Sequence, residues 1–134
     1  RQDYQWQHEP ILYGWKPTGP HQWNSDRCQT TIWKFDKPLR SAEHPTMKPI
    51  PLIAYPIQNS SRKGELVLDL FGGSGSTLIA CEQVGRICFM MEIDPLFCDV
   101  IVRRYFKATN DKKIKLIRDG ATLDFGSISK QFRF

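Results

Sequence analysis

Val67-Leu68-Asp69-Leu70-Phe71-Gly72-Gly73-Ser74-Gly75-Ser76-Thr77 is an apolar strand that runs into a glycine-rich turn and straight on into a helix. Glycines at positions 72, 73 and 75 let the backbone come close to a ligand, where a Cβ would stand in the way, and they permit positive φ in the turn. The strand, loop and helix context reads as a cofactor cradle, and its details narrow the cofactor. A phosphate-binding loop of the G-x-x-x-x-G-K-[ST] kind needs a lysine to reach the phosphates, and none follows these glycines. The dinucleotide fingerprint G-x-G-x-x-G needs a third glycine where Leu78 stands, which disfavours a nucleotide-dependent oxidoreductase.

The next apolar run, Ile87-Cys88-Phe89-Met90-Met91-Glu92-Ile93-Asp94, ends in carboxylates. A carboxylate at the tip of the second parallel strand can accept both hydrogen bonds of a ribose diol. Glu92 is the candidate, with Ile93 and Asp94 beside it. Such a ligand carries a ribose and needs no phosphate. S-adenosylmethionine fits, with its adenosine and amino-acid end, and Asp69 is placed to attract the ammonium group. The alternative is that Asp69 and Glu92 only cap neighbouring helices.

Upstream stands His44-Pro45-Thr46-Met47-Lys48-Pro49. The order H-P-T-x-K-P, a helix, D-x-F-x-G-S-G-x-T and an x-E-x-D strand end resembles the amino-methylating DNA methyltransferases of the permuted, beta-type class. In these the cofactor half follows the catalytic half. The match runs from about His44 to Arg104. A looser likeness to phage and prophage adenine methylases extends over Tyr4 to Phe35, through Gln7-His8-Glu9-Pro10-Ile11-Leu12-Tyr13-Gly14-Trp15. The resemblance implies an α/β, Rossmann-like S-adenosylmethionine-dependent methyltransferase fold, present in part, with a parallel sheet and covering helices. It implies methyl transfer to the exocyclic amine of adenine in DNA, or of cytosine at N4, within a restriction-modification setting. By position, His44 belongs to the carboxylate loop, and Thr46 and Lys48 meet the methionine carboxylate. Asp69 serves the amino group and Glu92 holds the ribose, with Ile93 and Asp94 at the same strand end. Phe71 and the backbone of Gly72, Gly73, Ser74, Gly75 and Ser76 line the methionine and adenosine. A lysine beside a carboxylate in a partly dry pocket also follows from charge-assisted hydrogen bonding.

The family's catalytic tetrapeptide, [DNS]-P-P-[YFW], is not found, because the chain contains no Pro-Pro pair. Asp94-Pro95-Leu96 carries two of its letters but reads as an N-cap followed by a first helical proline. The expectation is therefore a C-terminal cofactor half whose partner is an N-terminal catalytic half, with no catalytic residue of its own. A remnant that binds cofactor and transfers nothing is the alternative.

The chain has 134 residues and a net charge of +5, which suits a polyanionic partner such as double-stranded DNA without requiring one. Cys28, Cys81, Cys88 and Cys98 form no C-x-x-C pair and read as reduced thiols, three of them on core faces. His8, His21, Cys28 and His44 match no zinc spacing, so no metal is expected. Without a signal sequence or an apolar run of ~18 residues, a cytoplasmic protein with no membrane contact is expected, a homodimer being compatible.

Two regions are expected, 1–43 as the end of the catalytic half and 44–134 as the cofactor region. In the first, strands are expected at 11–15 and 30–35, around a loop rich in proline and glycine. Lys16, His21, Trp23, Asn24, Arg27 and Lys34 mix cations, amides and aromatics suited to phosphate, base-edge and stacking contacts with DNA. In the second, a helix is expected over 51–59, kinked at Pro56 or cut short by it. Helices over 76–84 and about 95–106 follow, the latter with Phe97, Ile101 and Tyr105 on a core stripe flanked by Cys98 and Val102. Arg103 and Arg104 are expected in its last turn, as a solvated end. A third strand is expected at 114–117, with Arg118 and Asp119 approaching the adenine.

Overall fold

Strand β1 (Leu66–Asp69) and strand β2 (Ile87–Met90) pair in parallel, with Leu66 opposite Ile87 and Asp69 opposite Met90. A parallel pair needs a long crossover, and helix α2 (Ser76–Val84) supplies it. The structure, a computed structural model, describes residues 3–36 and 47–132. The expected 43/44 boundary falls outside them. Helix α2 starts after Gly75, at φ 76°, and stops at Gly85, at φ 73°, whose N–H donates to the carbonyls of Cys81 and Glu82. This is the left-handed glycine stop anticipated from the sequence.

Helix α1 (Ile50–Ser60) packs on α2 and keeps Pro56 within it. The lost backbone bond is tolerated because the helix is held by tertiary contact, with Ala54 and Asn59 buried. Helix α3 (Pro95–Thr109) begins as expected, Asp94 Oδ1 accepting from the Leu96 N–H at 2.8 Å. Its end differs from the expectation. It runs past Phe106 to Thr109, where Asn110, at φ 53°, donates to the Phe106 carbonyl. Arg103 and Arg104 therefore lie inside the helix, and Lys107 occupies its last turn.

The third strand exists as β3 (Lys115–Arg118), but it does not join the parallel sheet. It pairs antiparallel with β4 (Ala121–Asp124). The cause is Asp119-Gly120, both at positive φ (51° and 77°), a two-residue hairpin turn of the Asp-Gly kind. Asp119 thus sits in a hairpin turn, and the expected approach of Arg118 and Asp119 to an adenine edge belonged to a strand in the parallel sheet. Helix α4 (Phe125–Phe132) follows, tethered to α3 by the stacked rings of Phe106 and Phe125, 4.7 Å apart.

The strands expected at 11–15 and 30–35 are not formed. The alternation of large residues at 30–35 serves another purpose: Trp33 meets Tyr55 of α1 edge to face at 5.0 Å, and Phe35 lies 6.1 Å from the same ring. Residues 22–24 are bound to the base of the sheet. The Asn24 N–H donates to the Asn59 carbonyl at 2.7 Å, and Gln22 Nε2 donates to Glu65 at 2.9 Å. Among the thiols, Cys81 is buried and Cys88 half-buried, whereas Cys98, expected beside the core, is exposed, as is Cys28. Cys98 lies on the flank of its stripe, its Sγ 3.7 Å from the Glu92 carbonyl.

Arg86 clasps the end of α1 to the start of β2. Its guanidinium donates to Ser61 Oγ at 3.1 Å, to the Ser61 carbonyl at 2.7 Å and to the Val84 carbonyl. Arg86→Ala is expected to cost about 1–3 kcal/mol in urea unfolding, because charge-assisted bonds to partly buried acceptors are lost. Arg86→Lys should recover little of it, lacking the planar fork. A pH effect accompanies the neighbouring Glu65, whose carboxyl is held below its ordinary 4.5 by the Arg62 N–H and then by Gln22. The folded value lies below the unfolded one, so this stabilisation is present above 4.5 and disappears as pH falls through the folded value. The protection factor of the Asn24 amide, taken against the intrinsic exchange rate at each pH, should fall in that acid window; unchanged protection there would remove Glu65 as the anchor.

Candidate functional site

The carboxyl ends of β1 and β2 are stitched together by their own backbone. Met91 N–H donates to the Asp69 carbonyl at 2.9 Å and Gly72 N–H to the Met91 carbonyl at 2.8 Å. Glu92 joins the same knot with its side chain: Oε2 accepts from the Gly73 N–H at 2.6 Å and Oε1 from the Asp94 N–H at 3.0 Å. Each carboxylate oxygen has two lone pairs. With one lone pair of each oxygen used by the backbone, the group is held in a fixed orientation. Asp69 is fixed more lightly, through Oδ1 to the Phe71 N–H at 3.0 Å. Both carboxylates therefore make the local backbone bonds of a capping role.

The loop between them, Gly72 to Gly75, has a packing requirement that the sequence did not disclose. A Cβ on Gly72 would stand 3.1 Å from Ile101 Cδ1 and 3.2 Å from the Met91 carbonyl. One on Gly75 would stand 3.1 Å from both γ carbons of Ile101, at a φ of +76°. These two glycines admit α3 as well as any ligand. From the same face of α3, one turn beyond Ile101, Arg104 donates to the Ser74 carbonyl and lies 3.5 Å from Ser76 Oγ. Ser74 and Ser76 are buried, their hydroxyls 3.2 Å apart. Arg104 is therefore a brace for the loop rather than a solvated helix end. The i, i+3 spacing from Ile101 was the signal available in the sequence.

Beside this framework, Phe71 is 87% exposed and Ile93 98% exposed. Two large apolar side chains at the tips of adjacent strands offer faces to an aromatic ligand. Helix α2 begins here at Gly75, which as a glycine supplies no side-chain cap. Lys48 approaches the same helix start, its carbonyl accepting from Ser76 Oγ at 3.2 Å, while its ammonium pairs with Glu9. His44 and Thr46 lie outside the described residues. Lys48 also lines a cleft of about 540 Å³ with Lys34, Met47 and Arg104. A second cleft, about 500 Å³, separates α2 and α3 from the start of β3. Neither includes Glu92.

The residues singled out for nucleic acid are spread along 16–34. His21 is held by Trp15, with ring centroids 4.2 Å apart, and by the Tyr13 hydroxyl at 2.9 Å. Trp23 Nε1 donates to the Asp26 carbonyl at 2.8 Å, and Asn24 Oδ1 accepts from Arg62 at 3.3 Å. Lys16, Arg27 and Lys34 are exposed. The sequence reading missed Tyr13, Trp15 and Glu9 as neighbours of these sites. Among the described residues no group of three potential metal ligands comes together. Burial pushes the Cys88 thiol up to about 12 and raises Cys81 as well, which keeps both protonated. No helix among the described residues is long and apolar enough to cross a membrane.

The profile of the family described as DNA methylase, N6_N4_Mtase, matches residues 2–103. The Type II methyltransferase M2.MboI of Moraxella bovis is 34% identical over 90 residues, which cover 64% of this chain and 33% of that protein. The DNA adenine methyltransferase YhdJ of Escherichia coli (strain K12) is 27% identical over 118 residues, covering 81% of this chain and 40% of YhdJ. The chain thus spans about a third of the length of M2.MboI and two fifths of YhdJ. Among solved structures, the M1.HpyAVI–SAM complex superposes with a TM-score of 0.54 at 26% identity, over 63% of this chain and 43% of that one. The likeness places the α/β architecture among Rossmann-like methyltransferase folds.

The packing of the loop on Ile101 is open to a double-mutant test. Gly72→Ala and Gly75→Ala should each cost about 1–3 kcal/mol of unfolding free energy through overpacking and, at Gly75, positive φ. Adding Ile101→Val removes the Cδ1 methyl and should return part of the Gly72→Ala loss but none of the Gly75→Ala loss. Equal recovery at both positions would contradict this geometry.

Proposed function

This chain belongs to the DNA methylase family of amino-methyltransferases, and from that premise we propose that it is the cofactor-holding portion of an enzyme that methylates the exocyclic amine of adenine in double-stranded DNA. The observation that carries the reading is the Glu92 carboxylate at the tip of β2, fixed in orientation by the Gly73 and Asp94 N–H groups beside exposed Phe71 and Ile93. S-adenosylmethionine would supply the methyl group as an electrophilic carbon on sulfonium sulfur. The residues of this chain bind and orient. Glu92 takes the ribose hydroxyls, while Phe71, Ile93 and the backbone of Gly72 to Ser76 face the adenosine and methionine. Asp69 attracts the ammonium. Lys48 meets the carboxylate, with His44 and Thr46 in the same loop.

The Lys48 assignment requires the ammonium to exchange Glu9 for the ligand. An exposed ion pair contributes only about 0–1 kcal/mol, so a carboxylate held at both ends of a bound ligand can replace it. Lys16, His21, Trp23, Arg27 and Lys34, exposed or at the surface, serve the DNA, and Asn24 does so only with the amide atoms not bound to Arg62 and Asn59. The catalytic acceptor for the target amine comes from a catalytic half that precedes this portion in the permuted order. The target base must leave the helical stack to reach it. Adenine is favoured over cytosine because the likeness to the adenine methyltransferase YhdJ extends over 81% of the chain.

Titration calorimetry tests the site. Glu92→Ala should weaken both adenosine and S-adenosylmethionine by about 1–3 kcal/mol, through a lost acceptor for buried hydroxyls. Lys48→Ala should weaken only S-adenosylmethionine, whereas Glu9→Ala should leave adenosine unchanged and tighten S-adenosylmethionine slightly. Equal losses for the two ligands in Lys48→Ala would remove its carboxylate role. The 134-residue chain should bind yet leave DNA unmethylated; joined to a catalytic half, it should yield N6-methyladenine rather than N4-methylcytosine on nucleoside mass spectrometry.

A further inference from the structure

Ser76 opens α2 as a buried residue, 7% exposed, with Ser74 buried to the same degree beside it. Three groups meet its hydroxyl. Ser76 Oγ donates to the Lys48 carbonyl at 3.2 Å, stands 3.2 Å from Ser74 Oγ, and has the Arg104 guanidinium at 3.5 Å. A hydroxyl carries one proton and two lone pairs. With the proton committed to the Lys48 carbonyl, Ser74 must be the donor of the serine pair, and Ser76 accepts from Ser74 and from Arg104. The protein itself uses the whole bonding capacity of this hydroxyl, so what the side chain offers a ligand is position rather than a bond.

The group it holds can be held in one way only. Lys48 is followed by Pro49, the N-cap of α1, and the peptide between them has no N–H, so its carbonyl is its sole hydrogen-bonding group. We propose that Ser76 is the positioning residue for the amino-acid end of the cofactor site, tying the main chain of Lys48 to the glycine loop so that the lysine ammonium meets a carboxylate. The proposal rests on the functional reading above and adds the group through which Lys48 is aimed. The Lys48 side chain is exposed and its ammonium pairs with Glu9. An ammonium on so flexible a stem is directed to one place only where its main chain is fixed. Arg104 stiffens the arrangement, because the same guanidinium nitrogen also donates to the Ser74 carbonyl. One buried node thus joins α3, the glycine loop and the segment that enters α1. The consequence is selectivity: the tether favours a nucleoside that ends in an α-amino acid over one that ends at its ribose.

A double-mutant cycle tests this, read by titration calorimetry with S-adenosylmethionine and adenosine as probes. Ser76→Ala should weaken S-adenosylmethionine about three- to tenfold, the worth of one neutral hydrogen bond, and change adenosine by less than about twofold. In the Lys48→Ala background the same substitution should cost S-adenosylmethionine nothing further, because its effect passes through the ammonium. Ser76→Cys fills nearly the same space with a weaker donor and should lose affinity in the same direction, which keeps the test decisive should the alanine variant fail to fold. Without any ligand, the Lys48 carbonyl carbon resonance should move upfield in Ser76→Ala as its hydrogen bond is lost. Equal losses for the two probes, an undiminished loss in the Lys48→Ala background, or an unmoved Lys48 resonance would each overturn the proposal and leave the cofactor reading standing. That reading fails differently. If Lys48→Ala binds S-adenosylmethionine as tightly as the unsubstituted chain while the Lys48 resonance still moves in Ser76→Ala, the tether exists but the carboxylate role falls, and the proposal with it. Failure of the unsubstituted chain to bind S-adenosylmethionine at all would overturn both.

Discussion

Two hydrogen bonds to one carboxylate hold the functional end of this molecule together. Glu92 accepts from Gly73 in the loop after β1 and from Asp94 at the threshold of α3. It thereby fixes a glycine turn that has little side-chain contact of its own and sets the entry of the next helix. Charge-assisted bonds of this kind are about twice as strong as neutral ones. The same geometry fixes the direction in which the carboxylate points. Backbone bonds from Gly72 to Met91 and from Met91 to Asp69 complete the knot.

Helix α3 supports that knot from behind. Ile101 presses where glycine alone leaves room, and Arg104 reaches the Ser74 carbonyl from the next turn. The glycine loop is thus constrained from two sides, by Glu92 in front and by α3 behind, with its outer surface open. Such preorganisation lowers the ordering cost of binding. It also explains why Phe71 and Ile93 stay exposed: the framework consumes backbone and polar groups, not these two side chains.

The support is one-sided at the level of the fold. Helices α1, α2 and α3 gather around a small core of Ala54, Ile79, Ala80, Cys81 and Ile101, while on the opposite face of the sheet Leu66, Leu68, Ile87 and Phe89 are left more than half exposed among the described residues. Polar clasps at the other end of the strands, from Arg86 to Ser61 and from Glu65 to Gln22 and Arg62, tie α1 and the irregular segment 22–24 to the base of the sheet. Electrostatic pinning at both ends of the strands accompanies a core that is modest in the middle.

Local chemistry fixed what the sequence could reveal. Gly85 as a stop, Asp94 and Pro95 as a start, the parallel strands and the carboxylates at their tips depend on backbone preferences and spacing within a few residues, and they were legible in order. Arg104 was not, because its partner lies across space on another element. The alternation at 30–35 was ambiguous for the same reason, since it serves Tyr55 rather than a neighbouring strand. Asp119-Gly120 was a local signal passed over, and it drew β3 into a hairpin instead of the sheet. The sequence by itself determined the glycine loop, its acidic strand ends and the helices that frame them. Only the tertiary structure decided that Glu92 clamps the loop and that Ile101 and Arg104 brace it, because each of these depends on contacts between residues distant in the chain.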